Sequence, residues 1–208
     1  MILEIVAIVV CYLLGSVSFS VLFAKILKGI DIRQHGSGNA GATNTLRVLG
    51  KGPAILVLAL DVMKGIAAVW IGRWLGGDNE WLPGLCGIAA IIGHNWPLYF
   101  RFRGGKGIAT AIGVLATLCF LPAFIAGIIA ILSIVFTRYV SLGSLIFVLL
   151  TPVFLLIAGY SWPIFWTSLI ICVFAFWRHR TNIVKLVQGR ENKLGSGKGK
   201  DKGGKRVV

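Results

Sequence analysis

Residues 107–137 read GIATAIGVLATLCFLPAFIAGIIAILSIVFT, and this stretch decides how many times the chain is expected to cross a membrane. It contains 31 residues, none of them charged. A transmembrane helix needs about 20 apolar residues, so the stretch fits either one strongly tilted helix or two short ones. Two helices would separate near Pro122, because proline removes a helical hydrogen bond.

The whole chain has the composition of an integral membrane protein. Of its 208 residues, 57% are hydrophobic and 13% are charged, and the mean hydropathy is +0.86. These values lie far outside the range of soluble proteins. Apolar stretches occur at about residues 2–27, 53–74, 83–100, 107–137, 141–160 and 162–177. We therefore expect an all-α integral membrane protein.

The basic residues favour two crossings for residues 107–137, since Lys and Arg mark the cytoplasmic ends of membrane helices. Lys106 and Arg138 flank the stretch, and ten of the 21 basic residues follow residue 177. The last two apolar stretches lie between Arg138 and that basic tail. Because two crossings return the chain to the side where it started, Arg138 lies on the same side of the membrane as the tail. The N-terminal stretch carries Glu4 where a signal peptide would carry lysine, so it is expected to remain as a span. The prediction is seven transmembrane helices, with the N-terminus outside and the C-terminus cytoplasmic.

The formal net charge of +14 indicates anionic partners. A nucleic-acid-binding protein would concentrate this charge on a soluble face, whereas here the basic residues lie between apolar stretches. The expected partners are therefore anionic membrane lipids and phosphate, not nucleic acid. The four cysteines lie singly in apolar segments without metal-ligand spacing, so no metal site is predicted. Residues 1–191 are expected to form one transmembrane domain. Residues 192–208 are of low complexity and are predicted to be a disordered, basic cytoplasmic tail.

Three polar segments fall on the predicted cytoplasmic face. They are HGSGNAGATNTLR at 35–47, GHNWPLYFRFRGGKGIAT at 93–110 and RHRTNIVKLVQGRE at 178–191. Glycine lets backbone N–H groups approach an anion, helix N-termini add their dipole, and Arg47 and Lys106 supply full charges. These segments predict a phosphate cradle, although GGKG does not match a nucleotide-binding P-loop. For any one segment alone, helix packing and anchoring at the membrane boundary explain the residues equally well.

Two charged residues are expected inside the membrane. Asp61 and Lys64 lie in the second apolar stretch, and their i, i+3 spacing places them on one helix face, where they can pair. Intramembrane charges often serve function, but a self-neutralised pair that fixes helix packing is the preferred interpretation.

The three polar segments resemble the signature motifs of the bacterial acyl-phosphate glycerol-3-phosphate acyltransferases, the PlsY family. The similarity runs from about residue 10 to residue 191. It implies a seven-helix protein of the bacterial cytoplasmic (inner) membrane that transfers an acyl group from acyl phosphate to the 1-hydroxyl of sn-glycerol 3-phosphate. The products would be lysophosphatidic acid and phosphate, in the first acylation of phospholipid synthesis, with the active site on the cytoplasmic face.

The resemblance also assigns roles to residues by motif position. The implied catalytic residues are Ser37, Arg47, Lys106, His179 and Asn182. The implied substrate-binding and phosphate-binding residues are Gly36, Gly38, Asn39, Gly41, Thr43, Asn44, His94, Gly104, Gly105 and Glu191. No organic cofactor is expected, because an acyl phosphate is already activated.

Three questions stay open at this level. The proton of the 1-hydroxyl could pass to His179 or to a phosphate oxygen of the donor, and the substrate-assisted route is preferred. A transporter or channel for small organic phosphates is the competing class, although such proteins place their sites near the membrane midplane, between repeats that are not visible here. Phosphotransfer onto a lipid would need a cytoplasmic carboxylate pair for magnesium, which the sequence lacks.

Overall fold

The computed structural model describes residues 1–195, and it is helical apart from turns and connecting loops. Ten α-helices follow one another within these residues. They are α1 (Ile2–Gly15), α2 (Phe19–Lys28), α3 (Ala42–Leu49), α4 (Lys51–Gly76), α5 (Leu82–Asn95), α6 (Ile108–Leu118), α7 (Phe120–Thr137), α8 (Val140–Ile157), α9 (Trp162–Arg178) and α10 (Arg180–Val187). The expected all-α class is confirmed.

Within residues 1–195, four helical segments are long and apolar enough to cross a membrane. They are Ile2–Lys28, which contains α1 and α2, and the helices α4, α7 and α8. The apolar helices α6 and α9 are shorter. Because α6 has 11 residues, it is about 16 Å long, roughly half the thickness of the hydrocarbon core. The count of seven crossings and the orientation of the termini therefore stay predictions.

The 107–137 stretch divides into two helices, as the sequence predicted. The break falls at Cys119, whose φ of −148° and ψ of 70° interrupt the helix between Leu118 and Phe120. Pro122 then lies in the first turn of α7, where its missing N–H costs no helical hydrogen bond. The proline thus starts the second helix three residues after the break.

The helices pack around an apolar core that places the polar loops at one end. The main cluster of buried side chains includes Val114 and Leu115 of α6, Val148 and Leu155 of α8, and Ile171 of α9. A second cluster joins α1, α4 and α5 through small residues such as Ala7, Ala68 and Ala90. The loops before α3 and α6 and the start of α10 line one cavity in this bundle.

Ordered structure continues past the predicted boundary of the tail. The backbone N–H of Leu194 donates to the carbonyl oxygen of Arg138 at 2.7 Å, and Nε of Arg138 donates to the carbonyl oxygen of Leu194 at 2.9 Å. Lys193 lies over the ring of Tyr139. Residues 193 and 194 therefore contact the loop before α8, while the predicted tail of residues 192–208 stays a prediction and residues 196–208 lie outside the described part of the chain.

Candidate active site

A cavity of about 1050 Å³ lies where the three polar segments meet. Of the residues predicted for the site, all except Gly36 and Gly105 line it. Its opposite wall is apolar and comes from α4, α6 and α7, with side chains such as Leu58, Ile112, Phe124 and Ile131. Phe124 and Ile131 are 53% and 62% exposed on the outer surface of the helix bundle. The cavity thus joins a polar, cationic end to an apolar groove.

The first polar segment is held in shape by Asn44. This buried side chain accepts a hydrogen bond from the backbone N–H of Ser37 at 2.8 Å. Its Nδ2 donates to the carbonyl oxygens of Ile32 at 3.1 Å and His35 at 3.0 Å. Gly36 has a φ of +62°, and a side chain there would collide with the Asn44 amide. Both amide protons of Asn44 are therefore used within the loop, and its predicted role in phosphate binding stays a prediction.

The end of this segment that faces the cavity carries polar groups that a ligand can contact. Gly41 caps the N-terminus of α3, and Ala42 and Thr43 of its first turn line the cavity. A helix N-terminus favours an anion, because its first N–H groups lack helical partners. Arg47 lies one turn further along α3 and also lines the cavity, with its side chain exposed.

The second polar segment, at Gly104 and Gly105, is clamped by the protein on both sides. The backbone N–H groups of Gly104 and Gly105 donate to the carbonyl oxygens of Asn95 and His94 at 3.2 and 3.1 Å. The guanidinium of Arg178 donates to the carbonyl oxygen of Gly105 at 2.6 Å and stacks on Trp96. The N–H groups of Gly104 and Gly105 are therefore used within the protein, and the predicted place of these two glycines in the substrate site stays a prediction. These glycines also permit close packing, since a side chain at either would collide with His94.

The clamp directs Lys106 toward the third polar segment. Its Nζ donates to Oδ1 of Asn182, and Nδ2 of Asn182 donates to Oε1 of Glu191 at 2.8 Å. Burial lowers the pKa of Lys106 to about 8; Glu191 opposes this, while Arg178, Lys185 and Arg47 add to it. Four cations therefore act on a region with one carboxylate, and this excess of positive charge favours the binding of a phosphate dianion.

His179 lies between α9 and α10 and lines the same cavity. Its Nδ1 lies 2.8 Å from the carbonyl oxygen of Ala175, which can only accept a hydrogen bond. Burial first, and then the nearby charges of Lys106 and Arg178, lower the pKa of His179 to about 4. The imidazole is therefore neutral at physiological pH, with the proton on Nδ1 and a lone pair on Nε2.

The sequence did not predict the contacts of Arg178 or the position of Asp61 at the cavity. Arg178 was part of a recognised segment, but its two glycine partners lie more than 70 residues away along the chain. Asp61 was interpreted as structural, yet it lines the cavity. Its predicted pair with Lys64 is confirmed, with Oδ1 and Nζ 2.8 Å apart.

A membrane helix bundle in which one cavity combines a cationic end with an exposed apolar groove is typical of an enzyme of lipid chemistry. Residues 5–189 match the sequence model of the family described as glycerol-3-phosphate acyltransferase. The chain belongs to this family.

Curated relatives agree with this assignment. A glycerol-3-phosphate acyltransferase from Shouchella clausii is 60% identical over 189 residues, which cover 88% of this chain and 92% of that protein. The corresponding protein of Halalkalibacterium halodurans is 59% identical with the same coverage.

Solved structures agree as well. The crystal structure of PlsY, an integral membrane glycerol 3-phosphate acyltransferase, in its glycerol 3-phosphate form has a TM-score of 0.88 and 38% identity. It covers 93% of this chain and 96% of that one. A lysophosphatidic acid form of PlsY has a TM-score of 0.85 and 37% identity. The resemblance stated from the sequence is confirmed, and the chain is a PlsY-like membrane acyltransferase.

Proposed function

We propose that this protein transfers an acyl group from acyl phosphate to the 1-hydroxyl of sn-glycerol 3-phosphate, giving lysophosphatidic acid and inorganic phosphate. The observation that carries the proposal is the continuity of one cavity from the cationic residues to the apolar groove of α4, α6 and α7. Both substrates carry phosphate, and one carries a long apolar chain. The two ends of the cavity match these two chemical requirements.

The proposed reaction is direct attack of the 1-hydroxyl oxygen on the acyl carbonyl carbon. A new carbon–oxygen ester bond forms, the bond from the carbonyl carbon to the bridging oxygen breaks, and phosphate leaves with the electron pair. Arg47 and Lys106 stabilise the negative charge on the donor phosphate and on the acceptor, and Ser37 and Thr43 donate hydrogen bonds. Holding both substrates in one cavity supplies much of the rate, because the donor is already activated.

The proton of the 1-hydroxyl goes to a phosphate oxygen of the donor in this proposal. The alternative acceptor is Nε2 of His179, which carries a lone pair in the neutral ring. A substrate-assisted route needs no protein base, and His179 then accepts a hydrogen bond from the 2-hydroxyl of glycerol 3-phosphate, which leaves the proton of the 1-hydroxyl to the phosphate oxygen. Asn182 and Glu191 hold Lys106 in place for either route.

We place the active site at the cytoplasmic face of the bacterial inner membrane, with seven crossings. The support is the charge pattern, since the loops that form the cavity also carry the basic residues. Cysteine labelling near Phe120 and Leu121, which are 65% and 59% exposed, tests this topology in a variant without native cysteines. We expect labelling from the outside alone; labelling from the cytoplasm alone would contradict seven crossings.

The test of the activity is a product assay with purified protein in detergent. With acyl phosphate and glycerol 3-phosphate we expect lysophosphatidic acid, and with acyl coenzyme A as the matched donor we expect little product. A transporter of organic phosphates would instead accumulate labelled glycerol 3-phosphate in reconstituted vesicles without acylating it. Uptake without ester formation would therefore contradict the proposal.

A further inference from the structure

A buried polar cluster lies behind the cavity, where α1 and α2 are separated by a break in the helix. It consists of Asp61 and Lys64 of α4 and His94 near the end of α5, whose exposed fractions are 1%, 3% and 5%. The chain leaves α1 after Gly15 and enters α2 at Phe19, so carbonyl groups at this break lack helical partners.

Lys64 satisfies these carbonyl groups and also contacts the histidine. Its Nζ donates to the carbonyl oxygens of Gly15 and Val17, both at 3.0 Å, and lies 2.9 Å from Nδ1 of His94. An ammonium group has three N–H donors and no acceptor, so it can only donate to each of these partners. Oδ1 of Asp61 lies 2.8 Å from Nζ of Lys64 and 3.5 Å from Nδ1 of His94, and its negative charge balances that of the ammonium.

This arrangement fixes which nitrogen of His94 carries the proton. If Nδ1 carried a hydrogen, two donors would face each other across 2.9 Å. Nδ1 must therefore accept from Lys64, and a neutral imidazole that accepts at Nδ1 carries its proton on Nε2. The tautomer is the opposite of that of His179.

The Nε2–H group of His94 lies beside the loop that carries Lys106. The imidazole lies so close to Gly105 that a methyl group built on Gly105 would collide with Nε2. The His94 side chain also lines the cavity. Among the hydrogen bonds within residues 1–195, those of the His94 ring involve Nδ1, so Nε2–H remains available to a ligand.

We propose that Lys64 is a positioning residue that holds His94 as the Nε2–H tautomer, and that His94 donates this hydrogen to an anionic oxygen of glycerol 3-phosphate bound next to Lys106. The inference rests on the proposed function, because it uses the same substrate. Asp61 keeps Lys64 charged, so that the ammonium, rather than a neutral amine, faces the imidazole.

The tautomer is tested directly by nitrogen-15 NMR of detergent-solubilised protein labelled at histidine. A His94→Gln variant identifies the His94 signals by their disappearance. We expect a protonated Nε2 and an unprotonated Nδ1 in the unmodified protein, and a mixture of tautomers in Lys64→Gln. A protonated Nδ1 in the unmodified protein, or an unchanged tautomer in a folded Lys64→Gln variant, would overturn the proposal. Neither result requires turnover, so the tautomer can be determined whether or not the proposed function is correct.

The donor role is tested by two substitutions at position 94. The glutamine amide reaches the position of Nε2, whereas the asparagine amide reaches only that of Nδ1. We expect His94→Asn to raise KM for glycerol 3-phosphate at least about tenfold more than His94→Gln does, with KM for the acyl donor changed equally in both. Equal effects of the two variants on KM for glycerol 3-phosphate would show a packing role for His94 and would overturn the donor assignment.

Discussion

Nδ1 of His179 donates a hydrogen bond to the carbonyl oxygen of Ala175 at 2.8 Å, and this contact leaves Nε2 of His179 as an acceptor inside the cavity. The low pKa of His179, about 4, keeps the ring neutral at physiological pH. His179 can therefore accept a hydrogen bond from the 2-hydroxyl of glycerol 3-phosphate and position the 1-hydroxyl without taking its proton.

The role of His179 is tested by His179→Asn, which keeps a donor for Ala175 and removes the acceptor at Nε2. If a donor phosphate oxygen takes the proton, we expect kcat to fall by about tenfold, the effect of one lost hydrogen bond. His179→Gln is the matched control, because its amide oxygen can restore an acceptor. A fall of 10²–10⁴-fold in His179→Asn would instead identify His179 as the general base.

The pKa of Lys106 predicts how activity depends on pH. Burial lowers this pKa to about 8, so the ammonium form is present below pH 8 and is lost as the pH rises through that value. If the charge binds a substrate phosphate, kcat/KM should fall about tenfold per pH unit above pH 8. Lys106→Arg keeps its charge at high pH, so in this variant the fall of kcat/KM above pH 8, the alkaline limb of the pH profile, should disappear. An unchanged limb in an active Lys106→Arg variant would show that another group controls it.

Arg47 is expected to bind phosphate through its planar guanidinium. Charge-assisted hydrogen bonds contribute about 1.5–3 kcal/mol, so Arg47→Ala should lower kcat/KM by one to two orders of magnitude. Arg47→Lys keeps the charge but loses the bidentate geometry, and it should also be impaired. Ser37→Ala removes one neutral donor and should cost less. Kinetics of Arg47→Ala near those of the unmodified protein, for both substrates, would assign the first segment a structural role.

Neighbouring residues in the first segment separate loop structure from ligand binding. Asn44→Ala removes three hydrogen bonds within the loop, so it should lower the Tm and also raise KM for a substrate. Thr43→Val removes a hydroxyl that lines the cavity and keeps the shape of the side chain, so it should impair kinetics at an unchanged Tm. Thermal unfolding and kinetics measured on the same samples distinguish the two. An unchanged Tm in Asn44→Ala would contradict its role as the support of the loop.

The sequence predicted the elements of the site better than their mutual contacts. Glycines, cations and histidines in three segments indicated a phosphate site, and the charges at Lys106 and Arg138 indicated that residues 107–137 divide. The direction of a glycine N–H or an asparagine amide depends on the folded backbone, so the sequence did not predict the hydrogen bonds that Gly104, Gly105 and Asn44 make within the protein.

The contacts of Lys64 show the same limit. Its i, i+3 partner Asp61 follows from helical spacing, and that pair was predicted. Its other partners, Gly15, Val17 and His94, lie 30 to 49 residues away along the chain and meet it only through the packing of α1, α4 and α5. The chemical environment of His94 therefore required the structure.

The central claim is that the hydroxyl of glycerol 3-phosphate attacks the carbonyl carbon of an acyl phosphate. The most direct measurement uses acyl phosphate with oxygen-18 in the bridging position, incubated with glycerol 3-phosphate and purified protein, and follows the label by mass spectrometry. We predict that the label leaves in inorganic phosphate, in a one-to-one ratio with lysophosphatidic acid. Label in a released fatty acid, together with a second phosphate on the glycerol, would show attack at phosphorus and would contradict acyl transfer.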